Sequence, residues 1–364
     1  MPLAQARALV LQYGWNATAY QILNPGLQLW FSRAQDAVIG YVDWGGMRVT
    51  AGGPICAPHR LAEIVKEFES DTAAINGTGI CYFGAGSRLE NLLSILPGYS
   101  LVLLGAQPVW HPKAWEGIIS THPSLRAQVH RARNKSVSVR EWPVEAAAAS
   151  PDIRRCLKEW LAQRPLPSMH FLVEPQTLDR LWDRRIFVAE RNGIPIGFLV
   201  ATPVPVRNGW LIEQIVRGRA APNGTAEILV DAAFQAAQAE GREYFTLGLS
   251  PLSHAVPKKI VHPWWLDLVF QWLSAHGGRF YNFRGLESFK SKFAPEVWEP
   301  IFAICNRPKL TPRAILAIAA AFGGISPFAF VALALGKALR QEVAWLFRAF
   351  FWNPKGRKKV QNPN

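Results

Sequence analysis

Read for apolar periodicity, the chain falls into two runs of short extended segments interrupted by helices. In the first half, strands are predicted at 27–33, 37–43 and 47–53. A helix over 59–74 follows, in which Leu61, Ile64, Val65 and Phe68 recur at helical spacing. A strand at 80–84 leads to a helix opening at Ser87, where Ser87 and Glu90 have the spacing of a capping box. A strand at 100–105 closes the half. After helices at 152–163 and 176–183, the second half shows strands at 185–191, 195–202 and 210–217, a helix at 225–240 and a strand at 243–248. A helix at 261–276 and a strand at 279–283 complete it. Asn192-Gly193 predicts a tight hairpin between the first two of these strands. Both halves therefore read β-β-β-α-β-α-β.

That order resembles acyltransferases of the GNAT type, here in tandem. The implied fold class is α+β, with mixed sheets flanked by helices. The expected domains are 1–140, 141–306 and a tail over 307–364. Charge sharpens the division. The chain of 364 residues has a net charge of +14. From Arg307 onward there are ten Lys or Arg and one acid, Glu342, and 120–140 holds five cations (Arg126, Arg131, Arg133, Lys135, Arg140) and no acid. Basic segments on an otherwise balanced protein suit phosphate-bearing partners: lipid headgroups, tRNA or a phosphorylated donor. Hydrophobic residues at 49% and charged residues at 18% exclude a disordered chain. The cysteines at 56, 81, 156 and 305 lack metal-ligand spacing, so a structural zinc is not expected.

Candidate chemistry gathers at four motifs. In the helix over 125–135, Leu125, Val129 and Ala132 share one face and Arg126, His130 and Arg133 another; with no acid interleaved, that second face suits phosphate. The strand ending at Arg217 runs into Pro222-Asn223-Gly224-Thr225 and a helix, a strand–loop–helix layout that binds anions. Pro222 has no N–H to offer a pyrophosphate. The third motif is the strand end from Thr246 through Gly248 and Ser250 to His254. The fourth runs from Phe283 through Lys290 and Lys292 to Pro295 and Trp298.

The fourth motif resembles the F-x-G-L-x-x-[FY]-K-x-K-[FY]-x-P-x-W signature of the phosphatidylglycerol lysyltransferase catalytic domain. The third resembles that family's G-M-x-x-L-S strand end, the strand ending at Arg217 its D-L-M-R motif, and Gly52-Gly53-Pro54 its G-[GD]-P element. The likeness covers about 25–306. It implies a tandem GNAT fold that moves an aminoacyl group from charged tRNA to a membrane lipid, with no bound cofactor or metal and no DNA partner. Arg217, Lys290 and Lys292 would surround one cleft and hold an anion. The family Asp falls on Gln214, which cannot serve as a general base at neutral pH. Glu213 is adjacent, but strand alternation places it on the opposite face. Arg126, His130, Arg133, Asn223, Gly224, Thr225, Ser250 and His254 are the expected substrate contacts. An acyl-CoA or acyl-carrier-protein donor, and a catalytically silent lipid- or tRNA-binding member, stand as alternatives.

The tail adds an expected location, the cytoplasmic face of the bacterial inner membrane. Residues 314–336 carry no charge, and as a helix would reach about 34 Å, enough to cross a hydrocarbon core. Gly323-Gly324 and Pro327 interrupt the run. A spanning or re-entrant anchor, an in-plane attachment and packed soluble helices are all compatible with it. On the anchor reading, truncation after Arg307 leaves a soluble protein, while the full chain needs detergent.

Overall fold

The first half folds as β1 (Gln28–Phe31), β2 (Val38–Trp44) and β3 (Met47–Ala51), then α2 (Leu61–Ala73), β4 (Gly79–Ala85), α3 (Ser87–Leu93) and β5 (Ser100–Trp110). A helix α1 (Pro2–Tyr13) precedes it. The computed structural model describes residues 2–75, 79–164, 169–253, 255–256 and 283–323. The middle of the chain forms α4 (Trp115–Thr121), α5 (Pro123–Arg133), β6 (Val137–Trp142), α6 (Val144–Ala149) and α7 (Pro151–Ala162). The second half contributes β7 (Arg185–Arg191), β8 (Ile194–Val204), β9 (Gly209–Arg217), α8 (Thr225–Ala239), β10 (Tyr244–Thr246) and the short β11 (Ser250–Pro251). Then come α9 (Phe283–Ser291), β12 (Val297–Cys305) and α10 (Pro312–Gly323).

The repeat is visible in the pairing. β1–β2 and β2–β3 are antiparallel and β3–β4 is parallel; β7–β8 and β8–β9 are antiparallel and β9–β10 is parallel. The hairpin at Asn192-Gly193 has φ of 53° and 75°, the left-handed pair that a two-residue turn of this kind requires. The two sets join in one sheet of order β1-β2-β3-β4-β12-β5-β10-β9-β8-β7-β6. At the join each half lends its closing strand to the other: β12 lies against β4, and β5 lies against β10. β12 and β5 then pair antiparallel with each other from Val297↔Val109 to Cys305↔Ser100. Helices cover both faces. α1 and α10 pack on one face of the first set and α2 and α3 on the other. α4, α5 and α8 cover one face of the second set, and α6 and α7 the other.

Four local expectations change. The capping box does not form: Gly86, in extended conformation, is the N-cap of α3, and Ser87 is already the first helical residue. Residues 176–183 are not helical. Leu178 and Leu181 are buried at a three-residue spacing that imitates a helix, but the polar groups just before them bond elsewhere: Gln176 N donates to Glu174 Oε1 and Thr177 Oγ1 to Gln214 Oε1. The second half closes with Val297–Cys305, and Phe283 opens a helix instead of ending a strand; the helix at 261–276 and residues 279–282 lie outside the described residues. Finally, Ala314–Gly323 lies on the protein core. Ala314, Ala317 and Ala321 are buried against the first-half cluster, and the Arg313 guanidinium donates to Gly45 O. Among the described residues no helix is long and apolar enough to cross a membrane; 324–364 lie outside them.

Truncation after Arg307 therefore strips a helix from the apolar face of β2 and β3. The shortened chain should lose cooperative melting and bind a hydrophobic dye.

Candidate functional site

A cavity of about 1120 Å³ draws its walls from both halves. At one end stand Arg217, which closes β9, and Asn223, Gly224 and Glu227, which open α8, with Gln128 and Arg131 of α5 beside them. At the other end are Trp15, Asn16, Thr18 and Gln21, Ser87 of α3, and Arg207 just before β9. The length of β9, nine residues ending in Arg217, separates the two arginines, roughly 27–30 Å of strand. Between the ends the lining is mixed: Phe83, Leu172, Ile318 and Phe322 are apolar, while Gln107 and Glu299 are polar.

β9 brings its two candidate side chains to one side. Val200 pairs with Gln214 and Ala201 with Ile212, so Glu213 is the extra residue of a β-bulge. A bulge breaks the period of two. Glu213 and Gln214 consequently both turn to the segment 174–184, contrary to strict alternation. Neither is free. Glu213 receives the Arg184 guanidinium at 2.8 and 3.2 Å, with both side chains 3% exposed. Gln214 Nε2 donates to Glu174 O at 2.7 Å, and its Oε1 accepts from Thr177. The pair positions the cavity wall and leaves no carboxylate base there.

The loop into α8 is shaped by packing. Gly224 has φ +95°, and a Cβ on it would lie 2.2 Å from Gln128 O of α5. Thr225 turns inward, its Oγ1 donating to Pro222 O at 2.7 Å. Of the four loop residues, Asn223 and Gly224 face the cavity and Pro222 and Thr225 do not.

Lys290 and Lys292 lie on and just after α9, before the final strand. They reach the cavity with different electrostatics. Lys290 is 4% exposed, and its Nζ donates to Gly248 O at 2.7 Å and Leu249 O at 2.8 Å. Burial, with no carboxylate partner among the described residues, pushes its ammonium down to about 7. Lys292 is half exposed and lies 3.8 Å from Glu227. The expected trio of equivalent cations thus resolves into an exposed Arg217, a Lys292 near an acid, and a buried amine that is easily neutral. Ser250 is fully buried in β11 and outside the cavity lining. His254 lies outside the described residues.

Arg126, His130 and Arg133 do not join this site. They border a separate hollow with Trp115 and Asp231, where Arg133 pairs with buried Asp231 at 3.0 Å. Within α5 it is Gln128 and Arg131 that face the cavity. The sequence reading missed the far end altogether. Arg207 is bound by two hydrogen bonds to Glu299 at 2.8 and 2.6 Å and lies over Tyr244. Gln107 joins Tyr244 and Glu299. These residues are far apart in sequence and follow no motif. The one available signal was Gln21, a polar residue inside the apolar run Tyr20-Gln21-Ile22-Leu23.

The family model described as phosphatidylglycerol lysyltransferase, C-terminal, matches residues 7–305. A C-terminal domain described as that of a lysylphosphatidylglycerol synthetase from Agrobacterium fabrum is similar at a TM-score of 0.75. It has 19% identity and covers 89% of this chain and 97% of that one. L-PGS from Bacillus licheniformis is similar at 0.73 with 21% identity, covering 87% and 95%. FemX is similar at 0.53 with 8% identity, covering 85% and 96%. At these identities the structural likeness concerns the fold. No curated protein matches the chain.

The Arg184–Glu213 pair gives a direct test of the wall. Glu213→Ala leaves a guanidinium buried and unpaired, which costs about 3–5 kcal/mol. Denaturant unfolding should show that loss. The double change Arg184→Met with Glu213→Leu should recover most of it.

Proposed function

The chain belongs to the phosphatidylglycerol lysyltransferase C-terminal family, and from that premise we propose that it moves an aminoacyl group from aminoacyl-tRNA to the lipid its family is named for. Membership makes it a transferase domain; the tRNA donor, the lipid acceptor and action at the cytoplasmic face of a membrane are the proposal. The observation that carries it is the cavity, which offers cations at both ends, an apolar wall and one buried amine between them. An esterified donor and a long amphiphilic acceptor need that combination. An acyl-CoA donor is served less well, because Pro222 takes an N–H from the anion loop.

The reaction is a transesterification. The lipid hydroxyl oxygen attacks the aminoacyl ester carbon, the bond from that carbon to the tRNA oxygen breaks, and the hydroxyl proton passes to that leaving oxygen. Lys290 is suited to carry the proton. As a neutral amine it spends two N–H groups on Gly248 O and Leu249 O and keeps a lone pair to accept a proton. This replaces the carboxylate that Gln214 does not provide. Arg217 supports negative charge on the donor phosphate or on the developing oxyanion.

Lipid analysis, kinetics and stability test the reading. Lipid extracts of cells with and without the gene should differ by an aminoacylated lipid. Arg217→Ala should lower transfer at least about tenfold, the loss of one charge-assisted contact of roughly 1.5–3 kcal/mol. Lys290→Met should lower it by about 10²–10⁴, and wild-type kcat/KM should rise with pH through about 7 as Lys290 loses its proton. Stability carries the same signature. The native value of about 7 lies below the ordinary lysine value of 10.5, so the unfolded chain binds more protons between them and stability rises with pH across that window. The stabilisation from Lys290→Met should be largest below pH 7 and shrink towards pH 10.5. Full activity in either variant, measured on the lipid product, would refute the assignment.

A further inference from the structure

Glu213, Glu227 and Glu299 are the acids of the cavity lining among the described residues. Two of them are held by arginines, Glu213 by Arg184 at 2.8 Å and Glu299 by Arg207 at 2.6 Å. Glu227 is different. It lies in the first turn of α8 and is 7% exposed, yet its carboxylate accepts no hydrogen bond among the described residues. Its Oε1 faces Lys292 Nζ at 3.8 Å, longer than a hydrogen bond, and the Lys292 side chain is 53% exposed. A pair so loose and so well hydrated contributes little, whereas a carboxylate drawn out of water is costly unless charged donors meet it. Nor does Glu227 serve its own helix, since it does not reach back to the Gly224 N–H as a capping residue would. The backbone beneath it is fixed. Thr225 Oγ1 donates to Pro222 O at 2.7 Å, and Ile228 N to Gly224 O at 2.9 Å. Ile228 and Leu229 sit in the core of the second half. A Cβ on Gly197 would lie 3.5 Å from Arg217 Cα and 3.6 Å from Thr225 Cγ2, so the end of β9 and the first turn of α8 are packed side by side.

A carboxylate only accepts, so its partner must bring donors, and burial asks that it also bring positive charge. An ammonium does both, and Lys292 is exposed enough to swing aside for it. That ammonium has a defined neighbour, because Arg217 offers donors to a carbonyl or oxyanion oxygen at the same end of the cavity. An aminoacyl ester carries the two groups on adjacent carbons, the amine on its α-carbon and the carbonyl beside it. A plain acyl thioester has the carbonyl without the amine and would leave Glu227 unmet. We propose that Glu227 receives the α-ammonium of the acyl group being transferred, so that the site selects a donor with a free α-amine. This rests on the transfer reading above and adds to it the part of the donor that is read. A carboxylate beside the amine keeps it protonated. As an ammonium it cannot attack its own ester, and it draws electrons from the neighbouring carbonyl carbon, which the lipid hydroxyl attacks.

The test uses the full chain and a non-hydrolysable donor end, 3′-(alanylamino)-3′-deoxyadenosine, beside its N-acetyl form, with binding followed by calorimetry. Alanine is chosen because its α-amine is the only amine of the acyl group. The wild type should bind the free-amine compound at least about tenfold more tightly than the acetylated one, the difference of one charge-assisted hydrogen bond. Glu227→Gln, which keeps shape and removes charge, should weaken the free-amine compound by about the same factor and leave the acetylated one unchanged, so that the preference disappears. A merely structural role would weaken both alike. The variant should not lower the melting temperature of the ligand-free protein, because it removes a poorly paired buried charge. Glu227→Ala gives the same readout should the glutamine variant fail to fold. Equal binding of the two compounds by the wild type, binding of neither, or an unchanged preference in a folded variant overturns the assignment. Binding of glycerophosphoethanolamine that depends on Glu227, in place of the alanyl compound, gives the ammonium to a lipid headgroup and overturns it as well. Selective binding of the free-amine compound without transfer to any lipid keeps the role of Glu227 and refutes the reaction instead.

Discussion

The arrangement rests on one antiparallel pairing, β12 against β5. Each strand belongs by sequence to one half and lies against the other half's parallel strand, β12 beside β4 and β5 beside β10. Separating the halves would break the ladder on both sides of the seam, so neither repeat completes its sheet alone. The exchange also explains why one cavity is shared. Gln107 of β5 and Glu299 of β12 are paired in register across the seam, and from there both reach into the cavity. A ligand long enough to touch both ends must cross a boundary made by neither repeat alone.

Much of the frame could be read in advance because its signals are local. Alternation set β1 to β3 and β7 to β9, and the Asn192-Gly193 turn needs only its own two residues. The failures have a common cause. Residues 176–183 have helical apolar spacing, yet Thr177 takes its hydrogen bond from β9, a partner remote in sequence. The Glu213 bulge is invisible to a rule that assumes a strict period of two. The apolar stretch from Ala314 has the composition of a membrane segment, but its first turns find an apolar surface on β2 and β3. Burial in protein and burial in lipid ask for the same residues, so composition cannot choose between them.

The site shows the same division. Arg217, Lys290 and Lys292, each carried by a motif, all line the one cavity. What the motif could not show was that they differ in state: one is exposed, one is near Glu227, and one is buried against two carbonyls. The basic face of α5 was real as a pattern, yet α5 packs on α8 so that Arg126, His130 and Arg133 look away from the cavity. A helix wheel gives the faces of a helix; only the partner helix decides which face meets the site.

The distribution of charge follows from what a transferase of this kind must handle. Cations at the rims can hold phosphates because water and counterions limit their mutual repulsion there. A cation in the middle has no such relief, and desolvation removes its proton instead. Lys290 is that case: burial brings its pKa to about 7, and the two backbone carbonyls fix the amine without supplying a negative charge. A carboxylate beside it would have kept it charged and useless as a base. Glu213, the nearest candidate in the motif strand, is fully engaged by Arg184, and the aspartate expected at Gln214 is replaced by a neutral amide bonded to Glu174 O. The two changes act in one direction. They leave two acids of the lining tied to arginines, Glu213 to Arg184 and Glu299 to Arg207, and the buried amine without a carboxylate partner among the described residues.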